Sequence, residues 1–247
     1  MPTRAGSPEA FKRAATELAD RVLLADIAWL DQTLLDSQRE WIAEARTGAR
    51  LTWKAIPSRA REIGIRVRGF FDGAPGLPDA QAARRAIAYV RQCFSAVDAI
   101  LLIRDGDDQP ERRHGLEQAR AAASSNTRIV IGLAVVERES WVLSGFDAEN
   151  ADEQVSLTAE VQALGFNPCR QPQELTACKN DQAKRSPKRV LATLTNSDWN
   201  RQRKCWLGTP LPVLEARGQE NGLKDYLVEV RDRLVPLITG RESERNG

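Results

Sequence analysis

The chain has 247 residues, 42% of them hydrophobic and 28% charged, with a formal net charge of +2. That length suits one large domain or a domain with an appendage, and the composition excludes a disordered chain. Charge so near balance does not by itself call for a nucleic-acid partner, and no stretch approaches the roughly 20 apolar residues of a membrane helix.

The first residues, Met1 to Pro8, lack the apolar core of a signal peptide, which leads to the expectation of a cytoplasmic protein with reduced thiols. Cys93, Cys169, Cys178 and Cys205 form no Cys-x-x-Cys pair, and His114 is the single histidine. A structural zinc site and a histidine-based nuclease are both disfavoured.

In chain order, Ser7-Pro8 opens a helix that runs to about residue 18. Residues 21–26 read as a short buried strand ending in Asp26. The apolar steps of 28–45 predict an amphipathic helix. Residues 63–71 alternate apolar and basic and read as a second strand, followed by a Gly/Pro loop over 73–78. Asp79 caps a helix over 80–93. Residues 98–103 form a continuous apolar run, the mark of a strand covered on both faces. A helix over 112–123 leads to a second such strand over 127–136. Beyond Phe146 the pattern turns helical, over 152–164, 184–194 and 222–237.

The alternation of strand and helix predicts an α/β protein, a mostly parallel sheet flanked by helices. Residues 1–146 make the α/β domain. Residues 147–247 make a helical, partly basic extension packed on it.

Ligands of open parallel sheets sit where the strands end. Three of the predicted strands end in acids: Asp26 with Asp31 beyond it, the turn Asp105-Gly106-Asp107-Asp108, and Glu137-Arg138-Glu139. Clustered carboxylates repel one another unless protonated or held by a cation. A hard divalent ion, Mg²⁺ or Mn²⁺, relieves that repulsion. Gly106 frees the backbone for Asp105 and Asp107 to aim at one point. The bland alternative is a polar turn whose last aspartate caps the next helix.

The order strand–acid–helix, strand–helix, strand–Asp-x-Asp resembles the TOPRIM domain of topoisomerases, primases and overcoming-lysogenization-type nucleases. The segments from Ile100 to Asp108, from Gly115 to Ala119, from Ile129 to Ala134 and Glu139-Ser140-Trp141 are most similar to small stand-alone TOPRIM proteins of bacterial defence operons. The resemblance covers roughly residues 20 to 146. It implies a TOPRIM/Rossmann-like fold, Mg²⁺ or Mn²⁺ on Asp105 and Asp107, catalytic work by Asp26 or Glu139, and an ABC-type ATPase as partner. Where the family carries a glutamate followed by glycine, this chain has Ala25-Asp26-Ile27.

Residues 170–204 carry the one clear charge asymmetry. Lys184 and Lys188 are one helical turn apart, as are Arg185 and Arg189, which predicts a cationic helix face. Trp199 and Trp206 flank a second basic group. The mixture suits phosphate contact with base stacking. A solvated helix face over two core tryptophans is the plain alternative.

Together these features lead to the expectation of a metal-dependent nuclease acting on DNA or RNA, the effector of an anti-phage system. The alternatives are a non-catalytic TOPRIM-like subunit that regulates an ATPase, and an α/β enzyme acting on a small phosphorylated molecule.

Overall fold

The computed structural model describes residues 8–42, 51–94, 96–107, 109, 111–123, 127–177 and 179–240. Its elements are α1 (Pro8–Asp26), α2 (Gln32–Gln38), α3 (Ile56–Glu62), β1 (Phe70–Phe71), β2 (Ala74–Pro75), α4 (Ala80–Cys93), β3 (Ala99–Asp105), α5 (Glu111–Ala121) and β4 (Arg128–Ala134). After these come α6 (Arg138–Ser144), α7 (Ala151–Leu164), a 3-10 turn (Pro172–Glu174), α8 (Pro187–Thr195), α9 (Trp199–Gly208), α10 (Leu211–Arg217) and α11 (Leu223–Thr239). The protein is mixed α/β, with a small parallel two-stranded sheet flanked by helices. Among the described residues no helix is long and apolar enough to cross a membrane.

Two predicted strands are corrected. Residues 21–26 are the last turns of α1. Ala14, Ala15, Leu18, Ala19, Val22 and Leu23 are all buried, and their three- and four-residue steps make one helical stripe. Of residues 63–71, only Phe70–Phe71 is strand. It pairs antiparallel with Ala74–Pro75, Phe70 opposite Pro75 and Phe71 opposite Ala74. The turn residues Asp72 (φ 49) and Gly73 (φ 85) are both left-handed, the conformation a tight hairpin demands. The mostly parallel sheet of four strands is thereby reduced to β3 and β4. The helix predicted over 28–45 is present as the shorter α2, and residues 43–45 lie outside the described ones.

The chain forms two compact units. One comprises Leu24–Leu102, Pro110–Ile131 and Asp232–Gly247. In it Ile56, Ala60, Ala86 and Tyr89 form a core cluster, with Leu51, Trp53, Ile65 and Val90 packed against it. A Cβ on Gly115 of α5 would strike Pro78 O, so this glycine lets α5 lie against the start of α4. Arg112 is held to Asp79 at 3.4 Å.

The other unit comprises Met1–Leu23, Ile103–Gln109 and Gly132–Arg231. Its centre is Asn221, fully buried. Asn221 O accepts from Val135 N (3.0 Å) and from Trp141 Nε1 (2.9 Å). Asn221 Nδ2 donates to Ser140 O (3.0 Å) and Ser144 Oγ (2.8 Å), and its Oδ1 accepts from Leu223 N (3.1 Å). One side chain and its carbonyl thus tie the end of β4, α6 and the start of α11 together. Trp141 stacks on Tyr226 with ring centroids 5.2 Å apart. Gly132 makes room for both rings, since a Cβ there would lie 2.8 Å from Tyr226 Cδ2 and 3.2 Å from Trp141 Cη2.

Candidate functional site

β3 and β4 run in the same direction, because the backbone bonds Arg128 N to Asp98 O (2.8 Å), Gly106 N to Ala134 O (2.6 Å) and Asp107 N to Val136 O (3.1 Å) advance together. Both carboxyl ends therefore open on one edge. A Cβ on Gly106 would collide with Val135 O, so only glycine lets the Asp105–Asp107 turn close on the end of β4. Asp107 holds a left-handed φ of 48, which aspartate tolerates better than most residues.

This edge carries Asp105, Asp107, Glu137 and Glu139. Asp105 Oδ1 accepts the Arg138 N–H at 2.9 Å. Glu137 and Glu139 are only 7% and 3% exposed. Arg138 Nε donates to Glu139 Oε1 at 3.2 Å, and Lys188 Nζ to Glu137 Oε1 at 2.9 Å. The second oxygens, Glu137 Oε2 and Glu139 Oε2, are buried without a hydrogen-bond partner among the described residues. Such atoms are rare in folded proteins because each forfeits its solvation.

Burial raises Asp105 above the usual carboxylate range, Arg138 opposes it through charge and its N–H, and the charge of Asp107 adds to the rise. Glu137 is raised by burial against the pull of Lys188, with Asp105 and Asp107 adding. Glu139 is raised by burial against Arg138, with Asp105 and Glu137 adding. Burial works to lower Lys188, but its bond and charge contact with Glu137, together with Asp181, outweigh that and raise it. The four acids thus act on one another electrostatically.

Of the expected site residues, Asp105, Asp107 and Glu139 stand together here, and Glu137 joins them. Asp108 lies outside the described residues. Asp26 is exposed at the last position of α1. The strand expected to deliver it is a helix, which removes the reason for grouping it with the acids of β3 and β4. Asp31 caps α2, accepting from Leu34 N at 2.8 Å. His114 is exposed on α5.

A hard divalent ion suits these donors: all are carboxylate oxygens, and two are buried and unpartnered. Among the described residues no three acids, histidines or cysteines are gathered as a metal cage.

The basic segment is arranged differently from expectation. Pro187 begins α8 and Ser186 caps it, so Lys184 and Arg185 precede the helix and share no face with Lys188 and Arg189. Lys184 and Arg185 are exposed, with the Arg185 guanidinium 5.6 Å from the Phe166 ring centroid. Arg189 clamps Glu160 with bonds of 2.6 and 2.8 Å. Arg201 clamps Glu153 (2.7 and 2.9 Å), Arg203 holds Glu17 (2.7 Å) and Lys204 reaches Glu149 (3.0 Å). Trp206 is buried, its Nε1 donating to Glu17 Oε2 at 2.8 Å. It is a core residue and offers no face to a base. Cys169 and Cys205 are buried thiols, Cys205 pushed up to about 12 by burial, and Cys178 lies outside the described residues.

No protein-family model, no curated protein and no solved structure matches the chain. What fold and site define is a mixed α/β protein with a partly buried carboxylate cluster at the carboxyl ends of a parallel strand pair.

Proposed function

We propose that the chain is a metal-dependent phosphodiesterase of the TOPRIM kind, cleaving DNA or RNA as the effector of an anti-phage system that includes an ABC-type ATPase. The observation that carries this reading is the carboxylate cluster, where Glu137 and Glu139 keep buried oxygens without partners beside Asp105 and Asp107. Evolution seldom retains such a cluster for stability, because like charges in a half-dry site oppose folding.

In this reading Asp105 and Asp107 would hold Mg²⁺ or Mn²⁺, and Glu137, now bonded to Lys188, would have to turn toward them to complete the set. The ion, when bound, supplies Lewis acidity and an activated water. Glu139, raised by burial, would serve as the general base. Lys184 and Arg185, exposed ahead of α8, take up backbone phosphates. Tight internal pairing leaves Arg189, Arg201 and Arg203 to the fold.

The second reading, a non-catalytic subunit that docks on an ATPase, is favoured by the place of Asp26, exposed at the end of a helix. Incubating end-labelled single- and double-stranded DNA and RNA with the protein and Mg²⁺ or Mn²⁺ separates the two. The first reading expects cleavage that Asp105→Asn abolishes. Cation binding without cleavage of any of the four polymers supports the second.

A further inference from the structure

Four of the cation–acid pairs in the site-bearing unit fall into two kinds. Arg189–Glu160, Arg201–Glu153 and Arg203–Glu17 are multi-point clamps in which guanidinium nitrogens fix the carboxylate. Such pairs are built to stay. Lys188–Glu137 is of the other kind. The ammonium is shared between two acids, donating to Glu137 Oε1 at 2.9 Å and to Asp181 Oδ1 at 3.2 Å, the latter on a side chain 61% exposed. It holds only one oxygen of each, and Glu137 Oε2 is left buried without a partner among the described residues.

We infer that Lys188 is the resident counter-ion of the carboxylate cluster, a tethered plug that a divalent cation must displace from Glu137 while the ammonium keeps its bond to Asp181. This rests on the reading of the cluster as a cation site and adds how that site is guarded. Lys188 is the second residue of α8, whose start is fixed by Ser186 and Pro187. Its four-carbon stem lets the ammonium swing while the helix stays in place. Glu137 then turns both oxygens to the ion, which satisfies the buried Oε2. Asp181 keeps the displaced charge from being stranded. The plug also selects: a monovalent ion gains no charge over the ammonium it replaces, whereas a divalent one does. Cation affinity is therefore set by the fraction of molecules in which Glu137 is free.

The test is a Mn²⁺ titration, by calorimetry and by the metal-induced rise in melting temperature, on the full chain. The variants are Lys188→Met, Asp181→Asn and the double. Lys188→Met is expected to tighten Mn²⁺ binding by about tenfold, the gain from unblocking a site that is about nine-tenths plugged. Asp181→Asn, which leaves Lys188 only Glu137 to hold, is expected to weaken it. The deciding result is their coupling: with Met at 188, Asp181→Asn should no longer matter. If Lys188→Met fails to fold, Lys188→Gln carries the test, since it keeps a donor to Glu137 without the charge. Strictly additive effects would mean that both residues act by distant charge alone, and the plug is overturned. Unchanged or weaker binding on loss of Lys188, with the wild type still binding Mn²⁺, also overturns the plug and leaves the cation site standing. No binding by the wild type or by any variant overturns both.

Discussion

Replacing Asp105 and Asp107 together with asparagine separates a cation site from a polar turn. The asparagine Oδ1 at 105 still accepts the Arg138 N–H that Asp105 holds at 2.9 Å, so this hydrogen bond, worth about 1 kcal/mol, survives. Asparagine also tolerates the left-handed backbone at 107 (φ 48). What disappears is charge that burial and neighbouring acids disfavour at Asp105. Relieving one such conflict is worth about 1 kcal/mol, which raises the melting temperature of a chain of this size by about 2–4 °C. Melting curves at neutral pH, with and without Mn²⁺, measure both effects. The variant should melt at or above the wild type without metal, and it should lose the rise that Mn²⁺ gives the wild type. The sign of the pH dependence adds a second check. A raised folded-state value means that the Asp105 contribution to stability is greatest at acid pH and is lost as pH rises through that value. The advantage of the variant should therefore shrink on acidification. A variant that melts lower by about 1 kcal/mol and responds to Mn²⁺ like the wild type would refute the reasoning.

Three further outcomes are expected. Glu137 and Glu139 are raised in the same sense as Asp105, so the metal-free protein should gain melting temperature as pH falls from neutrality toward the carboxylate range, and Glu139→Gln should flatten that gain. Asn221→Ala strips partners from buried Ser140 O, Ser144 Oγ and Leu223 N; a denaturant midpoint should report a loss of about 2–4 kcal/mol, with weakened Mn²⁺ binding because α6, which Asn221 holds, orients Asp105 through the Arg138 N–H. Reversing charge at Lys184 and Arg185 should weaken nucleic-acid binding and reduce its salt slope by about 0.9 per lost phosphate contact on a duplex; filter binding across a salt series that shows no change would return both residues to the solvated surface.

The sheet edge was legible because two continuous apolar runs each end abruptly in acids, and only a buried strand combines both features. The first predicted strand failed for a related reason. Over six residues, Arg21 to Asp26 looks the same as a strand or as the end of a helix. The helical stripe appears only when Ala14, Ala15, Leu18 and Ala19 are taken with Val22 and Leu23. Four short helices, α3, α6, α9 and α10, gave no signal of their own. α6 is seven residues without a side-chain cap, and six of them are buried, so packing rather than propensity forms it. Glu137 and Glu139 were visible as acids after a strand, but their burial comes from that packing. The basic segment misled in a different way. Composition counts the charges of one stretch, whereas their partners Glu160 and Glu17 lie 29 and 186 residues away along the chain. A cationic stretch becomes an interface only if distant acids leave it alone.

The most direct test of the account is a Mn²⁺ titration of the wild-type protein followed by electron paramagnetic resonance of the free ion, beside the Asp105→Asn protein. One saturable site per chain is expected in the wild type and none in the variant, with the variant still folded by melting curve. A wild type that leaves the free-ion signal untouched, or a variant that depletes it equally, would contradict it.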